Sequence, residues 1–324
     1  MLAQKLSQSL ARQAVCRQCR QFSSSQRQLS DASAAEVKKL GVIGAGQMGL
    51  GIALVAARNA KVPVFLIDSN QQSLDKGLKF ADTLLAKDVA KERISKEDAD
   101  AARGRITAHN SIADLSDVDM VIEAVPEVPE LKFKIFAELA ETCPSHAILA
   151  TNTSSISITR IAASTTKNPT DLSAPSRVVS THFMNPVPIQ KGVEIISGLQ
   201  TSEKTLATAV EFCKRMGKIT STSADSPGFL ANRILIPYIN EAIIALETGV
   251  GDRDSIDAIM KNGTNVPMGP LQLADFIGLD TCLSIMKVLH EGLGDSKYRP
   301  AVRLQQMVEA GWLGKKSGKG FYDY

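Results

Sequence analysis

The feature that most constrains the fold is a glycine-rich turn between a short apolar run and a helical pattern. The run from Lys38 to Ile43 (KKLGVI) is typical of a buried parallel strand. It continues into a GxGxxG pattern, Gly44-Ala45-Gly46-Gln47-Met48-Gly49, and then into the helical pattern of residues 50–57. The first glycine allows a tight turn, the second lets the backbone approach a pyrophosphate, and the third lets helix and strand pack closely. The helix N-terminus then offers N–H groups to bound phosphates.

A carboxylate follows at the spacing that a dinucleotide site requires. The second predicted strand, Val62 to Ile67, ends at Asp68, which lies 24 positions beyond Gly44. A carboxylate there accepts hydrogen bonds from ribose hydroxyls and repels a 2′-phosphate. The sequence therefore favours NAD over NADP, and FAD remains a minor alternative.

Strands and helices alternate through the first two thirds of the chain. Residues 70–103 are charged and helical in pattern, which predicts a helical hairpin inserted after the second strand. Further strands are predicted at 105–108, 118–124, 147–150, 177–181 and 192–196, and helices at 128–141 and 156–163. This alternation predicts an α/β fold of the Rossmann type, with a doubly wound, mostly parallel sheet. Ligands of such sheets bind beyond the carboxyl ends of the strands, so Asp68, Ala124–Glu127 and Thr151–Ser155 should surround one crevice.

The last hundred residues have a different pattern. After Asp225-Ser226-Pro227-Gly228 only helical segments follow, at 229–247, 252–262, 270–290 and 299–311. The first is apolar almost all round and must be buried, yet a domain of about a hundred residues has limited interior. This predicts pairing with a second copy. We divide the chain into a leader (1–30), an NAD-binding domain (36–224) and an all-helical domain (225–324).

The leader accounts for the excess positive charge. Residues 1–30 contain five basic side chains and no acidic one, whereas the rest of the chain carries 32 basic and 34 acidic groups. An Arg- and Ser-rich segment without acids is typical of a mitochondrial transit peptide, which predicts a location in the mitochondrial matrix. The remainder offers no basic surface for nucleic acid.

Membrane insertion and metal binding are not expected. Leu40 to Ala57 carries no charge and is long enough to span a bilayer, but five glycines and Gln47 interrupt it. Cys16 and Cys19 form a CxxC without a second pair, and the three other cysteines are scattered.

A histidine and a glutamate stand where acid–base chemistry could occur. His182 follows the strand at 177–181, and Glu194 lies in the strand-like segment 192–196. A histidine at the carboxyl end of a sheet strand would face the cofactor crevice. A carboxylate on a neighbouring strand could fix its tautomer and stabilise the imidazolium. On these residues alone, a purely structural histidine remains equally possible.

Together these motifs resemble the L-3-hydroxyacyl-CoA dehydrogenase family. The resemblance runs from about Val37 to Tyr324. It is carried, in order, by GVIGAGQMGLGIA, VIEAVPE, ILATNTSSISIT, HFMNPVP with VEII, DSPGFLANRILIPYINEAI, GVGDRDSIDAIM, VPMGPLQLADFIGLD and GWLGKKSGKGFYDY. It implies NAD-dependent oxidation of (S)-3-hydroxyacyl-CoA to 3-oxoacyl-CoA in fatty acid β-oxidation. It also implies a homodimer formed through the C-terminal domain, which would bind the acyl-CoA substrate as well.

The resemblance assigns roles to individual residues. His182 would be the catalytic acid/base and Glu194 its partner. Ser154 and Asn232 are also implied as catalytic residues, in contact with the substrate. The other implied contacts are Ser154, Asn185, Glu127, Lys132 and Lys316 with NAD, and Lys87 and Lys91 with the CoA phosphates. Two features depart from the family pattern: Met184, where the family often has Phe, and a longer loop at 167–176. The alternatives are a related NAD-dependent hydroxy-acid dehydrogenase of the gulonate or hydroxyisobutyrate type and a non-catalytic NAD-binding structural protein.

Overall fold

A computed structural model describes residues 33–324, and the predicted transit peptide lies outside them. The first domain is built on one eight-stranded sheet. Its strands are β1 (Leu40–Ile43), β2 (Val64–Ile67), β3 (Ile106–His109), β4 (Met120–Glu123), β5 (Ile148–Thr151), β6 (Val178–Phe183), β7 (Gly192–Ser197) and β8 (Ile219–Ala224). The strand order is β3-β2-β1-β4-β5-β6-β7-β8.

The sheet is mostly parallel, as predicted. The first six strands pair in parallel, β7 runs antiparallel to β6, and β8 is parallel to β7. Six helices accompany the strands: α1 (Gln47–Val55), α2 (Gln71–Ala90), α3 (Lys96–Gly104), α4 (Pro129–Thr142), α5 (Ile158–Ala163) and α6 (Glu203–Arg215). Helices α2 and α3 form the predicted hairpin after β2. Helix α6 and strand β8 were not predicted.

Neighbouring residues of β1 belong to different apolar clusters, which shows that the sheet is covered on both faces. Val42 packs with Leu50 of α1 and Leu74 of α2. Ile43, the next residue, packs instead with Phe136 and Leu139 of α4. Strands buried on both faces read as continuous apolar runs rather than as an alternation.

The C-terminal domain consists of helices α7 (Ala231–Glu247), α8 (Arg253–Gly263), α9 (Pro270–Ile277), α10 (Leu279–Leu293) and α11 (Val302–Glu309). They enclose a separate apolar core. The helix predicted over 270–290 is two helices, because Gly278 between them has φ +105°, a conformation that a helix cannot include. The predicted fold class is therefore confirmed, with one helix divided in two.

Candidate active site

The glycine-rich turn joins β1 to α1. Gly44 has φ +102°, and a Cβ placed on Gly49 would lie 1.9 Å from the Gly44 carbonyl oxygen, so neither position accepts a larger residue. A Cβ on Gly46 would meet nothing within 4 Å, which leaves open space beside the turn. Helix α1 begins at Gln47, and its N-cap residue, Gly46, has no side chain to cap it. The N–H groups of its first turn therefore remain for an anion, and this arrangement fits a bound pyrophosphate.

Asp68 lies beside this turn at the end of β2. Its Oδ2 accepts a hydrogen bond from the Ala45 N–H (2.9 Å), and its Oδ1 accepts one from the Asn70 N–H (2.9 Å). A cavity of about 1210 Å³ opens here, large enough for the adenosine half of a dinucleotide. Five residues of the turn and the carboxylate line it, namely Gly44, Ala45, Gly46, Gln47, Met48 and Asp68. Lys76, Phe80, Asn110 and Lys134 also line the cavity, and the sequence analysis did not identify them.

His182 and Glu194 are directly opposite one another on the antiparallel strands β6 and β7. The ring Nδ1 lies 3.0 Å from Glu194 Oε2, and both side chains are buried. The other carboxylate oxygen, Oε1, accepts hydrogen bonds from the backbone N–H groups of Leu230 (2.8 Å) and Ala231 (2.9 Å). Burial acts to raise the pKa of Glu194, but hydrogen bonds from His182, Ala231 and Leu230 outweigh it and the pKa is lowered. The acid therefore stays ionised beside the imidazole.

The second ring nitrogen of His182 reaches Ser154. Nε2 lies 3.0 Å from Ser154 Oγ, and Asn232 of α7 donates through Nδ2 to the Ser154 carbonyl at 3.4 Å. The ring of Phe229 stands edge-on to the imidazole, with 6.0 Å between ring centroids. The four predicted catalytic residues thus lie in one continuous contact network, which draws on both domains.

Asn185 connects this network to the glycine-rich turn. Its Oδ1 accepts a hydrogen bond from Gln47 Nε2 at 3.2 Å. Gln47 is the first residue of α1, and Asn185 lies three positions after His182. The predicted nicotinamide and pyrophosphate ends of the cofactor site are therefore adjacent.

Glu127 organises the loop that carries Ser154. Its Oε1 accepts hydrogen bonds from Thr153 Oγ1 (2.6 Å), from the Ser154 N–H (2.9 Å) and from both the N–H and the hydroxyl of Ser155 (2.9 Å each). Burial acts to raise the pKa of Glu127, but the charge of Lys132 and these hydrogen bonds lower it. The side chain keeps about a third of its surface exposed, so contact with a cofactor remains open to it.

Lys132, predicted as a cofactor contact, is fully buried. Its Nζ donates to Glu123 Oε1 (2.6 Å) and to the Val125 carbonyl (3.3 Å), and it lies 3.5 Å from Glu127 Oε2. Burying a charge is costly unless it is paired, and here two carboxylates surround it. Lys132 therefore has no exposed surface with which to contact NAD directly. Its ammonium group instead stabilises the carboxylate of Glu127.

Three further lysines were predicted as ligand contacts. Within residues 33–324, none of them forms a hydrogen bond or ion pair with the site residues described above. Lys316 pairs with Asp280 of the C-terminal domain, with 2.6 Å between Nζ and Oδ1. Lys87 and Lys91 are exposed at the C-terminal end of α2. Their roles stay predictions.

Two polar residues support the site, although the sequence analysis gave neither of them an individual role. Glu123 at the end of β4 accepts hydrogen bonds from Lys132, from Val125 N–H and from Thr151 Oγ1. Asn152 Oδ1 accepts the Phe183 N–H at 2.8 Å and so holds the residue next to His182. The available signal was an acid inside an otherwise apolar strand, VIEAV, with a lysine nine positions later. A buried acid of that kind needs a partner.

Residues 33–324 contain no helix that is long and apolar enough to cross a bilayer. Within the same range, no three or more His, Cys, Asp or Glu side chains lie close enough together to hold a metal ion.

The fold and the site define an NAD-linked dehydrogenase, with a dinucleotide turn beside a histidine that a carboxylate orients. Family models described as the NAD binding domain and the C-terminal domain of 3-hydroxyacyl-CoA dehydrogenase match residues 39–225 and 228–324. The chain therefore belongs to the 3-hydroxyacyl-CoA dehydrogenase family. It is an NAD-dependent oxidoreductase of 3-hydroxyacyl-CoA, an activity of fatty acid metabolism.

Individual relatives agree with this family. A 3-hydroxybutyryl-CoA dehydrogenase of Bradyrhizobium diazoefficiens is 52% identical, over 90% of this chain and 97% of its own length. The hydroxyacyl-coenzyme A dehydrogenase, mitochondrial, of Homo sapiens is 38% identical over 94% of this chain and 98% of its own. A crystal structure of (S)-3-hydroxybutyryl-CoA dehydrogenase PaaH1 from Ralstonia eutropha superimposes with a TM-score of 0.85 at 42% identity, covering 89% of this chain and 99% of that one.

Proposed function

We propose that His182 is the catalytic acid/base of this dehydrogenase and that Glu194 orients it and stabilises its charged form. This proposal is supported by the hydrogen-bonding neighbours of both ring nitrogens. Nδ1 lies 3.0 Å from Glu194 Oε2, and Nε2 lies 3.0 Å from Ser154 Oγ. If Nδ1 carries the proton that Glu194 accepts, Nε2 has a free lone pair. That nitrogen can take a proton from the substrate.

The reaction balances with one proton and one hydride. In the direction of oxidation, the proton of the 3-hydroxyl passes to His182 Nε2, the C3–O bond becomes a carbonyl, and the hydrogen on C3 leaves with its electron pair. Bound NAD supplies the acceptor for that hydride. The imidazolium formed on His182 is stabilised by Glu194, and general-base assistance of this kind contributes about 100- to 10,000-fold. The products are 3-oxoacyl-CoA, NADH and a proton.

Ser154 and Asn232 would bind the substrate beside the histidine. The Ser154 hydroxyl is already a hydrogen-bonding neighbour of His182 Nε2, so it can donate to the same substrate oxygen. Asn232 approaches from the first turn of α7 and contacts the Ser154 carbonyl. Its amide could reach the thioester region. Lys87 and Lys91 would contact the CoA phosphates, as the resemblance implies.

NAD would lie across the carboxyl ends of the strands. The glycine-rich turn would hold its pyrophosphate, Asp68 the adenosine ribose, and Asn185 the nicotinamide side, with Glu127 and Ser154 between. Lys316 remains a further proposed contact. The adjacent positions of Asn185, Gln47 and Ser154 support this course.

The central test removes the base and keeps the ring's approximate size. His182→Gln should reduce turnover of acetoacetyl-CoA by about 1,000-fold while the NADH dissociation constant changes by less than about threefold. His290→Gln is a matched control on α10 and should keep full activity. A His182→Gln enzyme with turnover near that of the wild type would remove the proposed role.

We also propose a preferred acyl chain length, which is more specific than the family assignment. The relatives named as 3-hydroxybutyryl-CoA dehydrogenases support a four-carbon acyl group. Specificity constants measured for acyl-CoA esters of four to sixteen carbons should be highest for the shortest. A chain-length optimum at the long end would contradict this preference. Free acetoacetate, tested beside acetoacetyl-CoA, should be a poor substrate.

A homodimer through the C-terminal domain is proposed from its exposed apolar side chains. Ile234 of α7, Ile259 of α8 and Phe276 of α9 each leave half or more of their surface exposed. The family resemblance implies a homodimer formed by this domain, and these exposed apolar side chains are candidates for its interface. Sedimentation at micromolar concentration should give twice the chain mass, and Ile234→Glu should lower it to one. A monomeric wild type would contradict the proposal.

A location in the mitochondrial matrix is proposed from the leader alone. Its basic, acid-free composition supports import, and the 52% identical relative is bacterial and does not bear on targeting. A fluorescent fusion of the full chain should colocalise with mitochondria, and deletion of residues 1–30 should abolish this. An unchanged mitochondrial signal after the deletion would refute the assignment.

A further inference from the structure

Lys218 is a buried lysine that stands outside the network described above. It directly precedes β8 and is 8% exposed. Its Nζ donates to the carbonyl oxygens of Val187 (2.5 Å) and Gln190 (2.7 Å). Both carbonyls belong to residues 184–191, the β6–β7 connection, which follows directly after His182 and Phe183. One ammonium group thus holds two points of the same connection.

The ammonium of Lys218 has no acidic partner. Among residues 33–324, no carboxylate lies within 4.0 Å of its Nζ. Burial lowers its pKa, as expected for a cation removed from water without a counterion. An apolar side chain of similar length would fill this space without the desolvation cost. The hydrogen bonds of Lys218 to the β6–β7 connection therefore explain a charged residue at this buried position better than packing does.

The β6–β7 connection lies against the dinucleotide turn. Asn185 Oδ1 accepts the hydrogen bond from Gln47 Nε2 at the start of α1. Val187 is buried, and a Cβ on Gly51 of α1 would lie 2.9 Å from Val187 Cβ, so the two elements approach closely. Lys218 bonds the carbonyl of that same Val187. Its hydrogen bonds therefore act two residues from Asn185, on the connection that packs against α1.

From this geometry we infer that Lys218 is a positioning residue for cofactor binding, which holds the β6–β7 connection so that Asn185 stays beside the dinucleotide turn. The inference rests on the proposed role of Asn185 on the nicotinamide side. Lys218 does not touch the reacting atoms. It acts by holding the carbonyl groups of Val187 and Gln190, which follow Asn185 in the connection.

The competing explanation is that Lys218 contributes to stability alone. A stability role would lower the melting temperature of a Lys218 variant and leave the NADH dissociation constant of the folded protein unchanged. A positioning role would raise that constant. The readout is thus the NADH dissociation constant from fluorescence titration of the full-length enzyme, together with KM and kcat.

The main variant is Lys218→Met, which keeps the apolar stem and removes the donors. We expect its NADH dissociation constant to rise by about tenfold, with a smaller rise for Lys218→Arg, which restores donors. Cys213→Ala is the matched stability control, since Cys213 is buried and its carbonyl accepts the Lys218 N–H. It should lower the melting temperature and leave NADH binding unchanged. Lys214→Met, at an exposed lysine of α6, should change neither.

A double-mutant cycle tests the route through Asn185. In an Asn185→Ala background, Lys218→Met should change the NADH dissociation constant by less than about twofold. Equal effects with and without Asn185 would overturn the inference, and so would NADH binding by Lys218→Met within about twofold of the wild type. If Lys218→Met does not fold, Lys218→Gln decides by the same criterion. Failure of the proposed Asn185 contact would appear as unchanged NADH binding by Asn185→Ala alone, so the two failures are distinguishable.

Discussion

The carboxylate of Glu194 in the sheet accepts the backbone N–H of Ala231, at the N-terminus of the first helix of the all-helical domain, at 2.9 Å. The same oxygen accepts the Leu230 N–H at 2.8 Å. A helix N-terminus stabilises a negative charge, so α7 helps to keep Glu194 ionised. The acid that orients the histidine is therefore itself held by the second domain.

This relationship makes Glu194→Gln informative. The substitution keeps the size of the side chain and removes the charge that stabilises an imidazolium on His182. Turnover of acetoacetyl-CoA should fall on the order of 100-fold, with NADH binding little changed. Steady-state kinetics check this, and Glu211→Gln on the exposed face of α6 is the matched control. Turnover within about threefold of the wild type would contradict the role given to Glu194.

Glu194 should also contribute to stability in a pH-dependent way. Its pKa is lowered on folding from an ordinary value of 4.5, so folding favours the ionised form. The contribution is fully present above pH 4.5 and is lost as pH falls through the lower folded-state pKa. The difference in unfolding free energy between the wild type and Glu194→Gln should therefore be constant from pH 7 to about 5 and shrink in stronger acid. Urea titrations at each pH measure it, and a difference that grows on acidification would contradict the assigned direction.

Ser154→Ala removes the hydroxyl that lies 3.0 Å from His182 Nε2. We expect kcat to fall by about 10- to 100-fold, because a hydrogen bond to the reacting oxygen would be lost while the histidine keeps its acid partner. Ser155→Ala is the control, since that hydroxyl donates to Glu127 and not to the histidine. Equal losses in both variants would assign the effect to the loop as a whole.

Lys132→Met tests whether this lysine is structural. It would leave Glu123 buried in the sheet without its ammonium partner, and breaking a buried pair costs about 3–5 kcal/mol of unfolding free energy. Urea unfolding measures the loss, and Lys134→Met at an exposed position of the same helix should cost little. A stable Lys132→Met protein with weakened NADH binding would instead favour the direct contact that the resemblance implies.

Asp68 should decide between the two nicotinamide cofactors. Asp68→Ala combined with Ser69→Arg removes the repulsion of a 2′-phosphate and supplies a cation for it. The NADPH to NADH ratio of kcat/KM should rise by about 100-fold or more. NADH binding should also weaken, because Asp68 bonds the Ala45 N–H of the dinucleotide turn. An unchanged ratio would refute the assignment.

The sequence predicted the candidate site best where a residue type suited to the chemistry also lies near the end of a strand. The glycine turn, Asp68 and His182 each stand at or near the end of a parallel strand, and such ends meet at one edge of a sheet. Glu194 lies within β7 and was chosen as an acid on a strand next to that of His182. The same reasoning missed Lys218, because only the tertiary fold brings it to the carbonyls of residues 187 and 190. The family resemblance, and not this reasoning, gave Lys132 as an NAD contact, and the structure buries its ammonium group beside Glu123 and Glu127.

The structure differs from the predicted secondary structure at three places, each for its own reason. Strand β8 (ITSTSA) has mostly exposed or half-exposed side chains and lies at the edge of the sheet, so it lacks the apolar run of an internal strand. Helix α6 has an apolar face that includes Val210, Phe212 and Cys213, but the sequence analysis assigned no element to this segment. Gly278 was read as part of a helix, although its positive φ ends one helix and begins the next.

The direct pairing of His182 with Glu194 in the β6–β7 ladder has a consequence for how such enzymes can diverge. The backbone pairing of these antiparallel strands places the two residues directly opposite each other. Substitutions within residues 184–191 can alter the surroundings of Asn185 while the backbone pairing keeps His182 and Glu194 opposite each other. A register shift of one residue along either strand would turn His182 or Glu194 to the opposite face of the sheet and separate the pair.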